Sequence, residues 1–205
     1  KNWITINEIQ CAVGTSYQKG ILAPGLKLPH DLLLTIGHNF LLSHGKAVQV
    51  IRACSKTKSN IGWAPVGMVT EPAANSPEDI EAARQQTMSV TEPNYANNSW
   101  WNDPVFFGTY PEDGLNAYGS SVPSYCHKGM DIICQPLDFF GVNIYKSGKK
   151  NTGQDGAGVY DVLDVGTPLT GMGWPVTPKA LYWGPKFFYE KYKKPIYITE
   201  NGMSN

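Results

Sequence analysis

Four short β-rich runs recur along this chain, and each gap between them is long enough to hold a helix. Parallel strands need a crossover of a dozen or more residues, whereas antiparallel neighbours are usually joined by a tight turn. Trp3-Ile4-Thr5-Ile6-Asn7 alternates as a strand does. Residues 61–69 read as a buried strand passing into a loop, 137–145 as a third strand, and Ile196-Tyr197-Ile198-Thr199 as the last. In the first gap, Leu33, Ile36, Phe40, Leu41, Val48 and Ile51 share one face of a helix over about 28–53, which Gly37 and Gly45 weaken without ending. Ser76-Pro77-Glu78-Asp79 opens a second helix, to about residue 90. Its Ser caps, its Pro at the first position forfeits no hydrogen bond, and its acids suit the positive end of the dipole. An aromatic segment follows at 97–107. A polar loop marked by Gly148, Gly153, Gly156 and Gly158 spans about 146–173. Thr177-Pro178 caps a last helix to about Tyr192, with Gly184-Pro185 predicting a kink or a split inside it. The order β-α-β-α-β-α-β with buried strands belongs to the α/β class, a parallel sheet wrapped by helices. No repeat of fixed length and no clean linker divides it, so residues 1–205 read as a single domain.

Charge narrows the partners. Seventeen Lys and Arg balance seventeen Asp and Glu, so no basic surface invites nucleic acid or an anionic membrane. The longest apolar runs break within a few residues, too soon to span a bilayer. With 12% aromatic and 17% charged residues the chain is too hydrophobic for disorder. Cys11, Cys54, Cys126 and Cys134 form no C-x-x-C pair, and His127 beside Cys126 lacks further ligands, so no metal site is expected. The thiols read as incidental ones in a reducing compartment, which favours the cytoplasm. The chain opens with Lys1 rather than Met, so the lack of a visible targeting segment carries no weight.

Glu8 and Glu200 carry the candidate chemistry. Each follows a β-rich run and each sits beside an asparagine, Asn7 or Asn201. In a parallel barrel the C-terminal strand ends form the active-site face, so both carboxyls would open into one mouth. A pair of carboxyls flanking a sugar is what glycoside hydrolysis requires, one protonated for the leaving oxygen and one ionised to attack or to activate water. A single glutamate after a strand is more often a solvated loop residue; the paired setting is what raises these two.

The surrounding segments resemble glycoside hydrolase family 1, the β-glucosidase and β-galactosidase family. Thr5-Ile6-Asn7-Glu8-Ile9 and Tyr197-Ile198-Thr199-Glu200-Asn201-Gly202 are similar to its two signature segments. Ala23-Pro24-Gly25, His38 to Gly45, Asp138 to Tyr145 and Gly173 to Pro178 resemble the blocks between them, in order and over essentially the whole chain. The resemblance implies a retaining β-glycosidase on a (β/α)8 barrel, without cofactor, acting on a small-molecule β-glycoside or oligosaccharide. Glu8 would be the general acid/base and Glu200 the nucleophile, with Asn7 on the sugar 2-hydroxyl and Asn143 lining the mouth. Tyr145 would touch the nucleophile and hold it ionised, and Trp174 would floor the aglycone side. Asn-Glu-Ile replaces the commoner Asn-Glu-Pro, and Glu8 rather than Gln favours O-glycosides over thioglucosides. Val66 stands where many relatives place an asparagine supporting the acid/base, and the four histidines read as structural.

By the same resemblance the chain covers roughly barrel strands four to seven, leaving the glycone-clamping residues to other strands. A closed barrel of this kind takes about 250 residues, more than the 205 here. The fold expected is therefore a partial TIM barrel. The alternative is a non-catalytic half-barrel that binds carbohydrate or self-associates through its open sheet edges.

Overall fold

The structure, a computed structural model, describes residues 1–149 and 165–205. Six strands are present among them: β1 (Asn2–Asn7), β2 (Asn60–Ala64), β3 (Val69–Glu71), β4 (Phe139–Asn143), β5 (Ser147–Lys149) and β6 (Ile196–Glu200). The main sheet runs β1-β2-β4-β6 with every pairing parallel, so its four C-terminal ends face one way. The crossovers carry the helices α1 (His30–Cys54), α2 (Pro77–Met88), α3 (Ser99–Phe107) and α4 (Ala180–Tyr192). A second parallel pair, β3 with β5, sits beyond the C-terminal ends of β2 and β4.

The core lies between sheet and helices. Leu33, Leu41 and Val48 of α1 are buried, with Ile36, Phe40 and Ile51 packed at its margin, as their spacing predicts. Trp63 and Phe140 meet them from β2 and β4, and Phe187 and Phe188 from α4, each fully buried. The Trp63 indole N–H finds Asn102 Oδ1 at 2.8 Å, which removes the cost of burying that donor. Gly45 has a packing role: a Cβ there would overlap the Ile132 carbonyl, so only glycine lets segment 130–133 lie against α1.

Several expectations change. Buried strands hold for β2 and β4 but not for β1 and β6. The latter two are the outermost strands of the sheet, and Trp3, Ile4, Tyr197 and Ile198 are between 40% and 47% exposed. Helix α4 is not split at Gly184-Pro185. Burial of Trp183, Phe187, Phe188 and Tyr192, at about 1.5–3 kcal/mol each, exceeds the roughly 3 kcal/mol cost of an interior proline. A Cβ on Gly184 would fall 2.7 Å from Val69 Cγ2, so the glycine serves close packing rather than a break. Thr177 does not cap α4; its Oγ1 accepts the Ser147 N–H at 2.8 Å and ties the helix entry to β5. The Ser76 cap forms as expected, accepting the Asp79 N–H at 3.1 Å. Strand β2 stops before Pro65, and the 97–107 segment is largely helical. Of the expected 146–173 loop, the part bearing Gly153, Gly156 and Gly158 lies outside the described residues.

Candidate active site

β1 ends at Asn7, and Glu8 turns the chain straight into a helical turn, Ile9–Cys11, from a left-handed backbone at φ 48°, ψ 59°. That conformation costs a non-glycine residue on the order of 1–3 kcal/mol and persists only where neighbours over-determine it. Here the Glu8 N–H donates to the Ala64 carbonyl at 2.8 Å, and the Glu8 carbonyl accepts from Cys11 N–H at 2.9 Å and Ala12 N–H at 3.1 Å.

Asn143, the last residue of β4, is fully buried and is the hub of the site. Its amide nitrogen donates to Asn7 Oδ1 and to Glu8 Oε1, both at 2.9 Å. Its amide oxygen accepts the Thr199 hydroxyl at 2.5 Å. One side chain thus joins the ends of β1, β4 and β6 with both of its amide N–H donors used. Glu200 closes β6 in register with Asn143. The Tyr145 hydroxyl donates to Glu200 Oε2 at 2.7 Å. That hydrogen bond to the carboxylate, with some burial, pushes the Tyr145 phenol up to about 12. The Tyr145 ring meets Trp174 edge-on, centroids 5.6 Å apart.

Glu8, Glu200, Asn143, Tyr145 and Trp174 line one cleft of about 410 Å³. Asn7 is tied to it through Asn143. All six residues singled out in the sequence are therefore brought together, from both ends of the chain. Val66 also lines the cleft; its side chain offers no polar contact, and the amide on Glu8 comes from Asn143 instead. Cys11, dismissed in the sequence, lines the cleft as well. Burial foremost, and then a hydrogen bond to Glu8, pushes its thiol up to about 12, so it stays a protonated donor rather than a nucleophile. Its position three residues after Glu8, on one helical turn, is the only sequence signal that could have found it. His38 and His44 bond to Tyr110 and Thr5 in the body of the fold, as structural histidines do, while His30 bonds to Tyr95 from the exposed start of α1. Among the described residues no group of three or more His, Cys, Asp or Glu could hold a metal ion. Two half-buried carboxyls facing one cavity, one held by an amide and one by a phenol, can divide into a proton carrier and a bearer of negative charge.

The chain is similar to known proteins along its whole length. The family model described as Glycosyl hydrolase family 1 matches residues 1–205. Beta-glucosidase A of Thermotoga maritima is 32% identical over 205 residues, all of this chain and 44% of its own length. Beta-glucosidase A of Acetivibrio thermocellus is 34% identical over 98% of this chain and 44% of its own. Among solved structures, the Thermotoga maritima beta-glucosidase in complex with deoxynojirimycin superposes with a TM-score of 0.79 at 31% identity, covering 99% of this chain and 44% of that one. The chain thus spans less than half the length of these relatives, and its parallel α/β fold matches part of their barrel.

Proposed function

The chain belongs to glycosyl hydrolase family 1, and from that membership we propose that its cleft serves a retaining β-glycosidase, β-glucosidase-like, hydrolysing O-linked β-glycosides within a complete barrel. The observation that carries the reading is the shared cleft. Glu8 and Glu200 stand at the C-terminal ends of the two outer strands of one parallel sheet, each held by a neutral donor.

In the first step a Glu200 oxygen attacks the anomeric carbon while Glu8 gives its proton to the departing glycosidic oxygen. A covalent glycosyl-enzyme results, and the aglycone leaves as an alcohol. In the second step Glu8, now ionised, takes a proton from water. The water oxygen bonds to the anomeric carbon, and Glu200 departs with the electron pair. Asn143 keeps the Glu8 carboxyl oriented through both transfers. Tyr145 holds the Glu200 carboxyl in place before attack. Because Asn7 Oδ1 already accepts from Asn143, the Asn7 amide N–H group is the end left to donate to a sugar 2-hydroxyl. Trp174 offers a flat indole face to the aglycone.

The test is hydrolysis of aryl β-glycosides by a polypeptide that carries these residues in a closed barrel. Glu200→Ala should abolish nearly all turnover, and added azide should restore part of it with inverted anomeric product. Glu8→Ala should spare the first step for a dinitrophenyl glycoside, whose leaving group hardly needs a proton. If the two variants behaved alike, the separate roles would be wrong.

A further inference from the structure

We propose that Gln10 is the positioning residue for the Glu8 carboxyl, acting through a side-chain clip onto the backbone of Val66. The inference rests on the glycosidase reading above. Gln10 is 5% exposed and lies two residues beyond Glu8 in the same helical turn. Its Nε2 donates to the Val66 carbonyl at 3.1 Å and to the Asn97 carbonyl at 3.3 Å, and its Oε1 accepts the Val66 N–H at 3.1 Å.

The clip occupies the place of a missing strand. Ladder pairing between β1 and β2 ends at Asn7 with Ala64, because β1 turns away at Glu8. On the other flank, the Pro65 carbonyl accepts the Asn143 N–H at 3.0 Å, and the Gly67 N–H donates to the Asn143 carbonyl at 2.8 Å. Along an extended backbone the N–H and C=O of one residue point to one side and those of its neighbours to the other. Val66 therefore presents both of its polar backbone groups toward the side that β1 has vacated. Left there unpaired and half-buried, they would cost stability. The Gln10 amide offers an N–H and a carbonyl oxygen side by side, and these pair both Val66 groups while its nitrogen also donates to Asn97.

The result is a closed ring. Glu8 leads through the chain to Gln10, Gln10 grips Val66, the residues flanking Val66 pair with Asn143, and Asn143 donates back to Glu8. Cutting the ring at Gln10 frees the turn that carries Glu8 without touching Glu200 on β6 or its partner Tyr145, two residues beyond β4. The expected damage falls on proton delivery and not on nucleophilic attack.

Substrates with different leaving groups separate those two effects. In the active polypeptide that carries these residues, Gln10→Leu should lower kcat/KM for a phenyl or alkyl β-glucoside by about tenfold or more. Its kcat/KM for the 2,4-dinitrophenyl glucoside should stay within about threefold. A residue that merely supports the fold would lower both together. Gln10→Asn keeps the amide but draws it back by one methylene from both Val66 groups, so it should fall between wild type and Gln10→Leu in the same ratio. It also replaces Gln10→Leu if that variant does not fold. Equal losses on both substrates, or none on either, overturn the proposal while Glu8→Ala still discriminates between them. If Glu8→Ala itself does not discriminate, the catalytic reading fails first.

Discussion

His44 is sealed at the interface of α1 with β1 and β2, its ring edge-on to Trp63 at 5.0 Å and its Nδ1 paired with the Thr5 hydroxyl at 2.6 Å. Nε2 is buried with no hydrogen-bond partner among the described residues. The tautomer with the proton on Nδ1 leaves an orphaned acceptor there rather than an orphaned N–H. Burial pushes the His44 pKa down to about 4, and that of His38 in the same direction. Above about pH 6.5 the ring is neutral in folded and unfolded chains alike. As pH falls from there toward 4, the unfolded chain takes up a proton that the folded chain refuses, so stability drops until the folded ring also titrates. At about 1.4 kcal/mol per pH unit, His44 contributes a loss on the order of 3 kcal/mol across that window. Urea midpoints measured from pH 7 to 4 should fall accordingly, and His44→Leu should flatten much of the slope. An unchanged slope would place the proton uptake elsewhere. At this same scale the sequence was legible where a residue sits in a recognisable word, as Glu8, Glu200 and Asn143 do. Gln10 and Cys11 escaped notice because a clip onto main-chain atoms and a thiol turned into a cleft leave no pattern in the residue order.

Among the elements, α1 shows how a helix-weakening residue can be required by packing. Gly45 costs roughly 1 kcal/mol in helix propensity against alanine, which alone makes Gly45→Ala look stabilising. The Ile132 carbonyl lies where the new methyl would go, and it is backbone, which cannot swing aside as a side chain can. Overpacking of this kind costs about 1–3 kcal/mol and outweighs the propensity gain. Gly45→Ala should therefore lower the melting temperature, whereas an exposed-helix estimate predicts a rise; calorimetry distinguishes the two signs. Element order and type were readable because period-2 and period-3.6 patterns alternate through the chain. The β3–β5 pair was not, since three residues each of Val-Thr-Glu and Ser-Gly-Lys carry no period and pair only because β2 and β4 deliver them side by side. Pro185 does not split α4 for a related reason: a local breaker signal does not register the four aromatic side chains that bury around it.

Across the whole molecule, four parallel strands set the limit on what these residues can do alone. The sequence conveyed the parallel topology and the four strands of the main sheet, and its length against the roughly 250 residues of a closed barrel conveyed a partial one. Strands tilt and stagger so that eight of this kind close, and here β1 and β6 are each paired on one side, with Trp3, Ile4, Tyr197 and Ile198 half open to water. Glu8 and Glu200 lie at the ends of those same two outer strands, so among the described residues no further strand flanks the cleft beside either carboxyl. Water entering there raises the local dielectric and weakens the charge contacts that favour the transition state. Hydrogen bonds to the sugar hydroxyls, which strengthen in the transition state, supply several kcal/mol more, and many of them must come from strands beyond these four. Losing about 5 kcal/mol costs more than a thousandfold in rate. The 205-residue chain, measured beside a polypeptide that supplies the other four strands, should therefore hydrolyse an aryl β-glucoside at least about a thousandfold more slowly. Its exposed edges should also draw it into larger species on gel filtration. A monodisperse 22.5 kDa monomer turning over at the rate of the closed barrel would mean that the carboxylate pair and its Asn143 and Tyr145 partners suffice without the rest.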